Sequence, residues 1–197
     1  MCIYFNNFFK LGVLFIMNNI IKPESWFIVG IPIIFLIGSL AHFLYDWSGK
    51  SIIVGIFTPV NESTWEHLKL SVYPTLLWYI AGLLFLQNKI NFYVWYICCV
   101  ISIIMSCIVI TCFYYTYTGA LGIQSLFLDI FSLFLGLTIA QCLTLYIYNN
   151  AILTVFHYYL SIIIGSLIII SFTFFTFVPP KLPIFMDPET KQYGIQK

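Results

Sequence analysis

Long apolar runs broken by short polar punctuation make up the pattern of this chain. Five runs are uncharged or nearly so and reach the about 20 residues a helix needs to cross the hydrocarbon core of a bilayer. They are Trp26 to Tyr45, Leu68 to Leu86, Phe92 to Tyr114, Ile123 to Tyr146 and Ile152 to Phe177. Asp46-Trp47-Ser48-Gly49-Lys50, Gln87-Asn88-Lys89, Thr118-Gly119-Ala120 and Asn149-Asn150 separate them. A backbone in lipid must satisfy its own hydrogen bonds, so these runs predict helices. Trp26, Trp47, Tyr93, Trp95, Tyr114, Tyr115, Tyr117, Tyr146 and Tyr148 lie near the predicted ends, as an aromatic belt does. The expected fold is all-α, a polytopic transmembrane bundle of five spans, or six if the N-terminal segment inserts. Ser51 to Phe57 is apolar but too short to span and predicts a re-entrant or interfacial piece. The prolines after Val178 exclude a helix there and predict an extended C-terminal tail lying back on the bundle. The expected divisions are an interfacial N-terminal segment (1–22, with Met17 as an alternative start), the bundle (23–178) and a Pro-rich tail (179–197).

Composition sharpens this picture. The 197 residues are 61% hydrophobic and 8% charged, against about 25% charged in soluble domains. The expected partner is therefore the lipid bilayer and the expected location a cell membrane, crossed several times. All basic residues are Lys, which removes any arginine clamp for phosphate or carboxylate. A net charge of +1 gives no electrostatic case for nucleic acid. Cys2, Cys98, Cys99, Cys107, Cys112 and Cys142 show no paired metal spacing and read as small packing residues.

One stretch is not explained as membrane filler: Thr58 to Leu70, which carries Glu62, Glu66, His67 and Lys69. Thr58 with Pro59 suits an N-cap followed by the first helical position, and Ser63-x-x-Glu66 has capping-box spacing that would start the helix later. Helical periodicity from Pro59 puts Glu62, Glu66, Lys69 and Tyr73 on one stripe, with Ser63 and His67 beside it. His42 and Asp46, four residues apart at the end of the first span, lie on the same side of the bilayer. Asp129, two turns into the fourth span, joins them, with Ser125 and Ser132 on its stripe. Ionisable groups within spans cost about 2.5 to 3.5 kcal/mol on insertion scales and normally face a bundle interior or a wet cavity. The pattern predicts one polar pocket at a membrane interface, lined by His42, Asp46, Asn61, Glu62, Ser63, Trp65, Glu66, His67, Lys69 and Asp129. His157 stands apart, near the start of the fifth span on the opposite side.

Imidazoles with carboxylates form a donor set for a divalent metal with spare groups for a general base. The expected ligands are His42, His67 and Glu66, and the expected catalytic groups Glu62, Glu66 and His67. The helical zinc-protease motifs are absent, since Ser63 stands where His-x-x-Glu-His requires a histidine. A solvated first helical turn with acids near its N-terminus would produce the same local pattern. The leading expectation is a membrane-embedded, metal-assisted hydrolase or transferase acting on a lipid-type substrate or small-molecule ligand. The rivals are a proton- or cation-coupled transporter, marked by a polar path reaching His157, and a non-catalytic subunit of a membrane complex.

Three motifs carry a resemblance: His42-x-x-Tyr45-Asp46-Trp47-Ser48-Gly49, Pro59-Val60-Asn61-Glu62-Ser63-x-Trp65-Glu66-His67-Leu68-Lys69-Leu70, and the closing Pro-Pro-x-x-Pro-x-Phe-x-Asp-Pro-x-Thr-x-x-Tyr-Gly. Together they resemble an uncharacterised bacterial multi-pass membrane protein family, a domain of unknown function. The resemblance runs from about Met17 and implies an integral membrane protein, but it lends no activity or ligand.

Overall fold

The computed structural model describes residues 22–195; the expected N-terminal interfacial segment and the Met17 start fall almost wholly outside them. In chain order the helices are α1 (Pro23–Trp47), α2 (Ile52–Phe57), α3 (Thr64–His67), α4 (Lys69–Leu86), α5 (Phe92–Leu121), α6 (Leu126–Asn150) and α7 (Val155–Phe177). Single 3-10 turns follow α4 (Gln87–Lys89) and α7 (Pro183–Phe185). No strand is present among the described residues; the Met186 and Tyr193 backbones form an isolated antiparallel bridge. The fold is an all-α bundle with five spans long and apolar enough to cross a membrane, α3 and α4 together making the second.

The span boundaries differ from expectation where local chemistry decides. Thr118-Gly119-Ala120 does not interrupt α5, because nothing crowds Gly119 and the helix continues until Gly122 adopts φ +65°. The residues expected to form a re-entrant or interfacial piece form the short helix α2, which exposes Ile52, Ile53 and Phe57. Thr58 closes α2 instead of opening a helix, its hydroxyl donating to the Val54 carbonyl at 3.0 Å. Helix α3 starts one turn later, where the Ser63 hydroxyl accepts the Glu66 N–H at 3.3 Å.

Packing fixes where α4 sits. Pro74 lacks the N–H that would bond the carbonyl four residues back, which leaves the Leu70 carbonyl free. Gly38 of α1 lies directly against that oxygen, with no room for a Cβ. Buried polar side chains then tie the helices together in the middle of the bundle, as is common between membrane helices. Ser71 and Ser106 hydroxyls lie 2.7 Å apart, the Gln141 amide donates to Ser102 at 3.0 Å, and the Trp95 indole N–H donates to the Tyr79 carbonyl at 2.9 Å. The five described cysteines are free, and Cys98 and Cys99 are buried in the bundle. Trp26 and Trp78 stack at 4.3 Å near one end of the bundle. The opposite end gathers the close of α1, α2, the start of α3, the turn between α5 and α6, and the C-terminal tail, and it carries His42, Asp46, Glu62, Glu66, His67, Lys69 and Asp129.

Candidate functional site

The turn from Thr58 to Ser63 separates the two glutamates that a Pro59-initiated helix would have placed on one stripe. Asn61 closes this turn on itself, its Oδ1 accepting the Ser63 N–H at 2.9 Å. Glu62 therefore leaves from a loop and faces α1, whereas Glu66 leaves from the first turn of α3 toward the interior.

Glu66 is 2% exposed and Lys69 not at all. The Lys69 ammonium donates to Glu66 Oε2 at 2.6 Å and to the carbonyls of Gly55 at 2.8 Å and Thr58 at 3.3 Å. The Val60 N–H donates to Glu66 Oε2 at 3.1 Å, and the Thr176 hydroxyl of α7 approaches Oε1 at 3.5 Å. All three ammonium protons and both carboxylate oxygens are thus engaged. This pair clamps α2, the following turn, α3 and α7, and Glu66 is not among the donors that converge with the two histidines.

The donors that do converge are His42, Glu62 and His67, with one ligand atom of each lying within 4.8 Å of the others. The His42 and His67 rings are 5.2 Å apart. His67 Nε2 lies 3.3 Å from Glu62 Oε2, and His67 Nδ1 lies 3.0 Å from the Ser63 carbonyl. Both ring nitrogens of His67 therefore face oxygen acceptors. A neutral imidazole has one N–H and one lone pair, so the arrangement calls for a second proton or for a cation between Nε2 and Glu62. A second proton would place an imidazolium beside the other imidazole ring. A metal answers the same need, with Nδ1–H to the Ser63 carbonyl fixing the tautomer and ring plane, as is usual for ligating histidines. Two donors at tetrahedral zinc distances lie about 3.3 to 3.5 Å apart, close to the Nε2 to Oε2 separation. His42 Nδ1 is buried without any hydrogen-bond partner. The hydrogen bond from His67 holds the Glu62 carboxyl below the usual glutamate value, against the opposing effect of its partial burial.

The remaining expected site residues divide. Asp129 accepts the Tyr117 hydroxyl at 2.6 Å and lies within electrostatic range of His67, but is not one of the converging donors. Asp46 is exposed at the end of α1 and acts on His42 only through its charge. Trp65 packs into the α7 and tail side, stacked on Phe172 at 4.5 Å and tilted against Phe185 of the tail at 4.7 Å. Asn61 reaches the tail too, its amide donating to the Gly194 carbonyl at 3.0 Å. His157 is exposed and caps the start of α7, its Nδ1 accepting the Thr154 N–H at 3.2 Å. The expected metal set therefore changes by one member: Glu62 stands with His42 and His67, where Glu66 was expected. Asp187 was not singled out by sequence, yet it is 4% exposed, its Oδ1 accepts the Glu189 and Thr190 N–H groups, and it lies near the backbone of Glu62. The signal for it was the Asp-Pro of the closing tail motif, Asp187-Pro188.

No curated protein and no solved structure matched the chain. A family model did match, over residues 15–195, nearly the whole chain, and it is described as a family of unknown function. The chain therefore belongs to the DUF6512 family.

Proposed function

We propose that this protein is a membrane-embedded, metal-assisted hydrolase or transferase acting on a lipid-type substrate, with His42, Glu62 and His67 as ligands of one divalent metal. The observation that carries the reading is His67, whose two ring nitrogens both face oxygens while a second imidazole lies 5.2 Å away. Two histidines and one glutamate are a ligand set of catalytic zinc, which leaves a further position for water or substrate. The Glu62 side chain is 47% exposed, so that position is reachable from outside the bundle. The metal would polarise an ester or phosphoryl oxygen and lower the pKa of bound water. Asp129, held by the Tyr117 hydroxyl and within electrostatic range of His67, is the acceptor for the proton of that water. Phe43 and Trp47, exposed and stacked at 5.6 Å next to His42 on α1, offer an apolar surface to the acyl part of a lipid. The carrier reading finds less support, because His157 is engaged in capping and several polar groups of the bundle interior pair with one another.

Elemental analysis of the detergent-purified protein tests the proposal. The parent should hold about one equivalent of zinc, manganese or iron; His42→Ala, Glu62→Gln and His67→Ala should each lose it, and Glu66→Gln should keep it. Parent protein that stays metal-free after incubation with each ion would end the metal reading and direct work to ion flux in liposomes. Loaded protein is then assayed on lipid carboxylic and phosphoric esters.

A further inference from the structure

The C-terminal tail does more than cover the bundle. Between Met186 and Tyr193 it folds into a closed turn. The Asp187 N–H donates to the Gln192 carbonyl at 3.0 Å, the Lys191 N–H donates to the Asp187 carbonyl at 3.0 Å, and Asp187 Oδ1 accepts the Glu189 N–H at 2.8 Å. The turn is anchored to α7 by the Ile195 N–H, which donates to the Thr176 carbonyl at 3.2 Å. Gly194 has φ +68° and sits against Pro179 and the Thr176 carbonyl, where a side chain would be both strained and crowded.

From this turn one hydrogen-bond route runs to His67 at the end of α3, and the Asp187 carboxylate lies beside the loop that carries Glu62. That carboxylate lies near the backbone of Glu62 and acts on Glu62 electrostatically. Gly194 accepts from the Asn61 amide, Asn61 Oδ1 accepts from the Ser63 N–H, and the Ser63 carbonyl meets His67 Nδ1. Asp187 and Asn61 are both buried. His42, on the rigid span α1, has no such support and needs none.

Resting on the metal reading above, we propose that the tail is the outer coordination layer of the site, with Asp187 and Asn61 as positioning residues that set how tightly Glu62 and His67 hold the metal. Such outer partners typically change metal affinity 10- to 100-fold. The tail then links occupancy of the site to its own docking: a bound metal fixes Glu62 and His67, and their fixed backbone favours the docked tail.

The test uses full-length protein in detergent, with cobalt(II) affinity measured by chelator competition and thermal stability measured after metal removal. Asp187→Ala should weaken cobalt binding by about 10-fold or more, while Asp187→Asn, which keeps an oxygen acceptor, should recover most of it. If Asp187→Ala yields no folded protein, Asn61→Ala makes the same comparison, since it cuts the route from Gly194 to Ser63 without adding a charge beside the site. Affinity in these variants within about twofold of the parent, with only metal-free stability lowered, makes the tail a packing element and overturns the proposal. A parent that binds no cobalt overturns the metal reading and this proposal together, whereas a parent that binds and an Asp187→Ala variant that binds equally overturns this proposal alone.

Discussion

Replacing Lys69 with methionine keeps the length and apolar stem of the side chain and removes only the ammonium. What remains is a carboxylate 2% exposed, facing the Val60 N–H and the Thr176 hydroxyl with its counter-ion gone, and two backbone carbonyls, of Gly55 and Thr58, without their donor. An exposed pair would contribute only about 0.2 to 1 kcal/mol. Here burial decides the scale, because removing one partner of a buried pair costs about 3 to 5 kcal/mol through the charge left behind. At about 2 to 4 °C per kcal/mol for a chain of this size, Lys69→Met should lower the thermal midpoint by roughly 6 to 20 °C. Tryptophan fluorescence during a thermal ramp reads the change, since Trp65 sits immediately beside the clamp. The double variant Glu66→Leu, Lys69→Met removes both charges and should recover most of the loss, because an apolar replacement of a buried pair is often neutral or better. A single variant within about 2 °C of the parent, or a double variant as unstable as the single, would show that the pair does not clamp this end of the bundle.

Gly38→Ala should lower the midpoint by about 2 to 12 °C, from the about 1 to 3 kcal/mol of overpacking, because its Cβ meets a backbone carbonyl that has no rotamer through which to yield. Gly119→Ala, with open space around it, should change little in the same ramp. Titration gives a third check. The Glu62 carboxyl is depressed below its ordinary 4.5 by the His67 hydrogen bond, so the contact stabilises fully above that value and is lost as pH falls through the depressed one. The midpoint of the metal-free parent should therefore fall more steeply with acid than that of Glu62→Gln, and parallel curves would remove the contact from the argument. With metal bound, acid should release it as the imidazoles and Glu62 take up protons, which metal analysis after dialysis at stepped pH reads directly.

The bundle was legible because apolar run length is a sufficient signal for a span, and the level at which His42, Glu62, His67 and Asp129 meet follows from counting spans alone. What was not legible was which glutamate does what. That depended on whether the helix starts at Pro59 or at Ser63, and both starts carry good capping chemistry. Once Thr58 closes α2 and Ser63 opens α3, the glutamates no longer share a stripe. Lys69 then takes Glu66 through the i,i+3 geometry of the helix start. Trp65 was misplaced for a related reason: its partners Phe172 and Phe185 are over a hundred residues away in the chain, and no local periodicity reports them.

The division of the two carboxylates is also what makes a site affordable in a bilayer. A free buried acid next to two histidines would be a large desolvation cost with nothing to offset it. Glu66 is neutralised by its own lysine and serves as architecture, holding the turn at a fixed height against α7. Glu62, on the exposed side of that turn, keeps contact with water and can change partners between an imidazolium and a metal without moving the backbone. The fully paired group thus holds still the one that must be able to change partners. If this is right, stability and metal binding separate cleanly by residue: Glu66→Gln and Lys69→Met act on the first, Glu62→Gln and His67→Ala on the second. Variants that moved both together would mean the turn is not rigid and that the two glutamates work as one charge cluster.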